Sequence, residues 1–203
     1  GSIYTYNPGS EELKKLRKCE MPVESVVFLN SRLYAFGYYG SGELLIGSLD
    51  HDEVFKVASG NWDFMAVKAL PQKNLLISSF GNGFVRVYRT NRLPDQQNFC
   101  SVKVSPGQSR RFGSWGEWIK VIGNMKINEK EYIVTAGSHG TIKIWHLIRG
   151  RMRLLRVIQT EKMLESVICL ENYKMIATVC HRSNELKFWN MFSGKLEKTF
   201  VCV

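Results

Sequence analysis

Histidine is the side chain best suited to acid–base catalysis near neutral pH, and the chain has only four. They lie at positions 51, 139, 146 and 181. None belongs to a motif that would pair it with a nucleophile or a zinc ion, and no G-x-S-x-G, Walker-type, H-E-x-x-H or dinucleotide-binding pattern occurs. The glycine-rich segments 37–42 and 81–83 each separate two strand-like runs, so hairpin turns explain them better than phosphate binding. We therefore expect a protein that is not an enzyme and binds no cofactor.

Cysteine is the other residue type here that is suited to redox or metal chemistry. The five cysteines are Cys19, Cys100, Cys169, Cys180 and Cys202. Their number is odd, they are widely spaced, and neither a C-x-x-C pair nor a histidine at zinc-ligand spacing accompanies them. We interpret them as buried or half-buried thiols in a reducing compartment, which predicts an intracellular protein, cytoplasmic or nuclear, without a bound metal.

Positive charge is concentrated in the second half of the chain. Residues 1–100 contain 11 Lys/Arg and 10 Asp/Glu, whereas residues 101–203 contain 17 and 8. Such asymmetry favours an anionic partner, which is a nucleic acid, an anionic membrane surface or an acidic protein. No apolar stretch is long enough to cross a bilayer, so we expect no membrane association.

Two segments of this basic half are candidate partner-binding sites. The first is an insertion at 105–116 with two arginines and two large aromatics: Arg110, Arg111, Phe112 and Trp115. Arginine and tryptophan together supply directional and apolar contacts, although the two aromatics would also suit a solvated loop that folds over the core. The second is a row of arginines, Arg149, Arg151, Arg153 and Arg156. By the period of two, Arg151 and Arg153 share one face of a strand, where they would bind an anionic partner or protect a sheet edge from aggregation.

The elements that position these residues recur along the chain. Short β-like segments align at an equivalent position occupied by Tyr6, Gly47, Tyr88, Trp145 and Trp189, with steps of 41, 41, 57 and 44 residues. In the third unit we expect strands at 119–126, 132–137, 141–146 and 151–159, and in the fourth at 166–170, 175–181, 185–190 and 195–200. The helix-like stretch 11–18 is short and uncapped, and we interpret its latter part as a strand that pairs with 3–7. Four strands in about 40 residues is typical of a propeller blade.

The third and fourth units resemble the WD-repeat β-propeller family. Ala136-Gly137-Ser138-His139-Gly140-Thr141-Ile142-Lys143-Ile144-Trp145-His146 and Leu186-Lys187-Phe188-Trp189-Asn190 have tryptophan at the family's Trp position. His146 and Asn190 replace the Asp that usually follows, and Gly47 and Tyr88 stand at the Trp position in the first two units. The family's Gly-His pair and turn aspartate are absent, so we expect apolar packing to supply the rigidity of the buried polar network. In that family, the connection that contains the 105–116 insertion lies close to the central channel, where partners commonly dock.

The resemblance implies an all-β chain, a β-propeller of four-stranded antiparallel blades. We expect a single propeller domain over 1–203, with half a blade at 1–21, blades at about 22–60, 61–105, 117–160 and 163–203, and the inserted loop at 105–116. About four and a half blades do not close a ring, and Gly1-Ser2 without an initiating Met resembles residues left by cloning. We expect part of a larger ring, or a ring completed by a partner, with a distorted five-bladed ring as the other arrangement.

The function that this fold and family imply is a non-catalytic protein–protein interaction scaffold, a WD-repeat-like subunit of a multiprotein complex. The alternative is an RNA- or DNA-associated propeller subunit that binds through the basic second half.

Overall fold

A computed structural model describes residues 1–92, 100–103, 118–160 and 162–201. Those residues form β-strands, turns and three short 3-10 turns, Pro71–Lys73, Thr90–Arg92 and Glu171–Tyr173, and they contain no α-helix. The strand-forming runs are rich in valine, isoleucine, leucine and aromatic residues, which suit a pleated surface. The all-β class expected from the sequence is confirmed.

An N-terminal hairpin and four four-stranded antiparallel sheets follow one another along the chain. The hairpin consists of β1 (Ser2–Asn7) and β2 (Glu12–Lys18), as predicted. Sheet I contains β3 (Val23–Phe28), β4 (Leu33–Tyr38), β5 (Leu44–Ser48) and β6 (Val54–Ala58). Sheet II contains β7 (Phe64–Leu70), β8 (Leu75–Phe80), β9 (Phe84–Arg89) and β10 (Cys100–Lys103). Sheet III contains β11 (Ile119–Ile127), β12 (Lys130–Gly137), β13 (Thr141–Ile148) and β14 (Arg151–Gln159), and sheet IV contains β15 (Leu164–Leu170), β16 (Met175–Cys180), β17 (Glu185–Asn190) and β18 (Leu196–Val201).

The first strand of each sheet lies against the first strand of the next. β3 contacts β7, β7 contacts β11, and β11 contacts β15, so the four sheets are joined at their inner strands and diverge towards their fourth strands. Every inner strand has a bulge near its start, for example between Ile119 and Val121. This repeated geometry is that of propeller blades, and it leaves the fourth strands, including β14, at the outer edges.

Apolar side chains fill each junction between neighbouring sheets. One cluster joins the hairpin to sheet I, and further clusters join sheets I and II, II and III, and III and IV. The aromatic residue at the repeated position always packs towards the preceding sheet: Tyr88 towards sheet I, Trp145 towards sheet II and Trp189 towards sheet III. Each middle sheet therefore has two buried faces.

Buried polar hydrogen bonds are present at the two tryptophan positions, which corrects the expectation that apolar packing alone supplies the rigidity. The Trp145 indole donates a hydrogen bond to Thr135 Oγ1 at 2.9 Å, and Trp189 donates an equivalent bond to Thr178 at 2.9 Å. All four side chains are buried, so each bond satisfies a donor that water does not reach.

The network weakens towards the N-terminus. In sheet II, Tyr88 and Ser78 replace the tryptophan and threonine, and their buried hydroxyls lie near each other without forming a well-directed hydrogen bond. Burial is the largest influence on the Tyr88 phenol and raises its pKa, against the opposing effects of Ser78 and Arg86. In sheet I, Gly47 leaves the aromatic position empty, and the Tyr34 ring from the paired strand fills it; a Cβ on Gly47 would lie 2.5 Å from that ring.

Replacing Thr135 with valine tests the contribution of the indole–hydroxyl bond. The shape is conserved, but the Trp145 indole loses its acceptor, so we expect the free energy of unfolding to fall by about 1–3 kcal/mol. Urea unfolding measures the change. Tyr88→Phe is the matched control, because it removes a buried hydroxyl without a well-formed bond and should leave stability unchanged or raise it. Equal losses in the two variants would contradict this assignment.

Candidate protein interface

The first predicted site, Arg110, Arg111, Phe112 and Trp115, lies outside the described residues. The partner-binding role of this insertion stays a prediction. The second predicted site, the row of arginines, lies in sheet III and is described in full.

A bulge in sheet III decides which arginines share a face. Arg153 pairs with His146, Leu154 with Trp145, and Arg156 with Ile144, so Leu155 is the extra residue. A strict period of two would place Arg156 on the face opposite Arg151 and Arg153, but the bulge returns it to their side. We call these three exposed arginines the β14 row.

The β14 row lies on the side of sheet III that faces sheet IV. Its cross-strand neighbour His146 stacks on Tyr132 with ring centroids 5.3 Å apart, and Phe192 meets the edge of Tyr132 at 6.1 Å. The Arg156 side chain extends to Gly194, in the turn between β17 and β18 of sheet IV. Its Cδ lies 3.0 Å from the position that a Cβ on Gly194 would occupy. The row therefore borders the outer rim of the junction between sheets III and IV.

Arg149 lies apart from the row. It forms the two-residue turn between β13 and β14 with Gly150, and it lines a crevice between sheets II and III. The four predicted arginines thus divide between two different junctions. None of them makes an ion pair with a described residue.

The number of basic residues differs among the outer strands. β6 and β18 contain one lysine each, Lys56 and Lys198, whereas β2 of the hairpin contains four basic residues, Lys14, Lys15, Arg17 and Lys18. Basic residues are a common safeguard at a sheet edge. Partner binding and edge protection both stay predictions for the β14 row.

The outer face of sheet IV is an apolar surface that the sequence analysis did not identify. Pairing places Ile168, Val179, Leu186, Phe188 and Phe200 on the same face, opposite the face that packs on sheet III. Ile168 is 59 % exposed and Phe200 44 %, and Phe188 and Phe200 form an edge-to-face pair at 5.5 Å. We call these five residues the sheet IV face. The sequence does contain a signal for this surface, because β15, β16 and β17 have apolar residues on both faces. That pattern is typical of strands buried on both sides.

The opposite end of the row of sheets is also apolar. Tyr4, Tyr6 and Leu13 of the hairpin are each at least half exposed, and Tyr6 pairs with Leu13. Both end sheets therefore present apolar side chains that no described residue covers.

The histidines and cysteines adopt no catalytic arrangement within the described part of the chain. Cys19, Cys169 and Cys180 are buried or half-buried, as predicted, and burial raises the pKa of Cys169 to about 12, which leaves it protonated at neutral pH. Cys202 and the side chain of Cys100 lie outside the described residues. Over the described ranges, no three His, Cys, Asp or Glu side chains come together to hold a metal ion, and no helix is long and apolar enough to cross a membrane.

His181, which the sequence left without a partner, forms an ion-pair cluster. Its Nδ1 lies 2.6 Å from Glu165 Oε1, and Lys120 Nζ lies 3.4 Å from the same carboxylate. Desolvation acts to raise the Glu165 pKa, but the His181 hydrogen bond and the Lys120 charge outweigh it, so the pKa is lowered. The cluster links β15 to β11 and to the turn after β16, which is a structural role.

The lowered Glu165 pKa predicts a pH dependence. The folded-state value lies below the ordinary 4.5, so Glu165 contributes stability that is present above pH 4.5 and is lost as pH falls through the lowered value. NMR titration of the Glu165 carboxyl carbon should give a pKa below 4.5, and His181→Ala should move it upwards. A wild-type value at or above 4.5, or no response to the substitution, would contradict the cluster.

Comparison with known proteins shows the fold. No protein-family model matches the sequence, and no curated protein matches it either. Its fold is similar to the β-propeller domain of Myceliophteria thermophila Cps50 (Swd1), with a TM-score of 0.79 and 9% identity over 98% of this chain and 67% of that one. A chain from a structure of the mitotic checkpoint complex has a TM-score of 0.64 and 14% identity, over 89% of this chain and 49% of that one. At these identities the likeness is one of fold alone, and it confirms the predicted β-propeller.

Proposed function

We propose that the chain is a non-catalytic protein–protein interaction scaffold, a WD-repeat-like propeller subunit of an intracellular multiprotein complex, cytoplasmic or nuclear. The observation that carries this proposal is the sheet IV face. An apolar sheet face of this kind is stable in water only when another surface covers it.

The covering surface that fits the sheet IV face best is another β-sheet. Each junction inside the chain is formed by two sheets that pack face to face, and the sheet IV face has the same large aliphatic and aromatic composition. A further blade would bury it in the same way. We propose that a partner protein supplies that blade.

Two observations support the WD-repeat assignment. Trp145 and Trp189 occupy the family's tryptophan position and hydrogen-bond to Thr135 and Thr178 in the neighbouring strand. The two similar folds are a propeller domain and a chain from a checkpoint complex, so propellers of this shape do serve in protein assemblies.

The alternative function, binding of RNA or DNA through the basic second half, has weaker support. The β14 row offers cations for phosphates, but Leu154 and Leu155 lie among them and β14 has no aromatic residue on which a base would stack. Neither similar structure is described as a nucleic-acid complex.

Charge placed on the sheet IV face tests the scaffold proposal. We expect the double variant Ile168→Lys/Phe200→Lys to fold, because both side chains are largely exposed, and to lose the proteins that copurify stoichiometrically with the tagged wild-type chain from its source cells. Cross-linking from Lys198, whose Nζ lies 4.2 Å from the Phe200 ring centroid, should identify the polypeptide on that face.

Tyr173→Lys is the matched control. Tyr173 is an exposed aromatic residue in the turn before β16, outside the sheet IV face, and its replacement should leave the copurifying proteins unchanged. Wild-type chain that purifies without a stoichiometric partner, or a double variant that retains every partner, would contradict the proposal.

A further inference from the structure

A cavity of about 490 Å³ opens between sheets II and III. Three cationic side chains from three separate elements line it: Lys73 from the 3-10 turn before β8, Arg89 from the end of β9, and Arg149 from the turn after β13. The two leucines Leu75 and Leu147 contribute apolar wall. The residues that meet here are up to 76 positions apart in the sequence, so only the packing of the two sheets creates the site.

The cavity is positively charged, since none of the described residues that line it is acidic. An acidic group nearby is Glu129, whose carboxylate forms an ion pair with Lys126 at 2.8 Å. Lys126 is the main cause of the lowered pKa of Glu129, and the charge of Lys73 adds to the effect. Neither Lys73 nor Arg149 makes an ion pair with a described residue. Arg89 has a further interaction of its own, so we base the inference on the other two cations.

The backbone at Arg149 is compatible with a shorter residue. Arg149 and Gly150 both have positive φ, 49° and 79°, in a two-residue hairpin turn. Such turns favour Asn-Gly, because asparagine adopts positive φ more readily than a long side chain does. The turn itself therefore does not require an arginine, and an asparagine at position 149 would fit its backbone.

We propose that this cavity binds a phosphoserine or phosphothreonine side chain of an extended peptide. A phosphate monoester carries close to two negative charges at neutral pH and accepts several charge-assisted hydrogen bonds, which suits a group of cations better than it suits a single carboxylate. The leucine walls and the volume leave room for an adjacent apolar side chain. Among the described residues that line the cavity none is aromatic, so they offer no stacking surface of the kind that single-stranded nucleic acid requires.

This inference rests on the proposed function, because a phosphopeptide belongs to a protein partner, but it uses a different surface. The sheet IV face and the cavity lie at different junctions, so loss of binding at one leaves the other intact. A synthetic peptide measures the cavity alone.

The test is fluorescence anisotropy of the 203-residue chain with a degenerate peptide pool that has one fixed phosphoserine, against the same pool with serine. The phosphorylated pool should bind at least about tenfold more tightly, as expected for charge-assisted hydrogen bonds. Lys73→Gln/Arg149→Asn should remove that difference. Arg149→Asn installs the residue that the turn favours, and Lys73 is exposed, so the double variant should fold.

Lys174→Gln/Arg182→Asn is the matched control, since it also removes one lysine and one arginine from exposed turns, which here belong to sheet IV and not to the cavity. It should retain binding within about twofold, the range expected for exposed charges. Equal affinity for the two pools, equal losses in the two double variants, or unchanged binding by Lys73→Gln/Arg149→Asn would overturn the proposal. Inorganic phosphate should compete only at far higher concentration than the peptide, and competition at equal concentration would also overturn it, because it would assign the site to a free anion.

Discussion

Burial of sheet faces against neighbouring sheets is the constraint on which the rest of this structure depends. Sheet III illustrates it: Trp145 and Met152 pack towards sheet II, while Ile144 and Ile158 pack towards sheet IV. A sheet with two apolar faces is not stable alone. Each sheet is therefore stabilised by packing against the sheets on either side. The same constraint explains why the sheet IV face and the exposed hairpin residues are the most informative surfaces of the chain.

Much of the fold is readable from the sequence because the turns between strands are locally encoded. The predicted strands at 119–126 and 151–159 correspond to Ile119–Ile127 and Arg151–Gln159, since turn residues with positive φ such as Asn128 and Gly150 delimit them. The hydrogen bond from Trp145 to Thr135 does not follow from the WD-repeat pattern of Gly-His and a turn aspartate, because the chain lacks both. A threonine or serine ten or eleven residues before the aromatic position, as in Thr135, Thr178 and Ser78, is the signal that would have predicted it.

The candidate sites were less predictable than the strands, for physical reasons. The face on which Arg156 lies depends on a bulge at Leu155, and a single inserted residue reverses the alternation that sequence reasoning assumes. The cavity between sheets II and III is lined by Lys73 and Arg149, which come from turns that are distant in sequence. The basic composition favours an anionic partner. Which cations lie close enough to bind the same anion depends on how the sheets pack.

Native-state hydrogen exchange of the 203-residue chain tests the dependence of each sheet on its neighbours most directly. Sheet III is covered on both faces and sheet IV on one. We expect the amides of β12 and β13 to exchange much more slowly than those of β16 and β17, although all four are central strands with complete pairing. Equal protection of the two pairs of strands would contradict it, because sheet IV would then be stable without a sheet on its outer face.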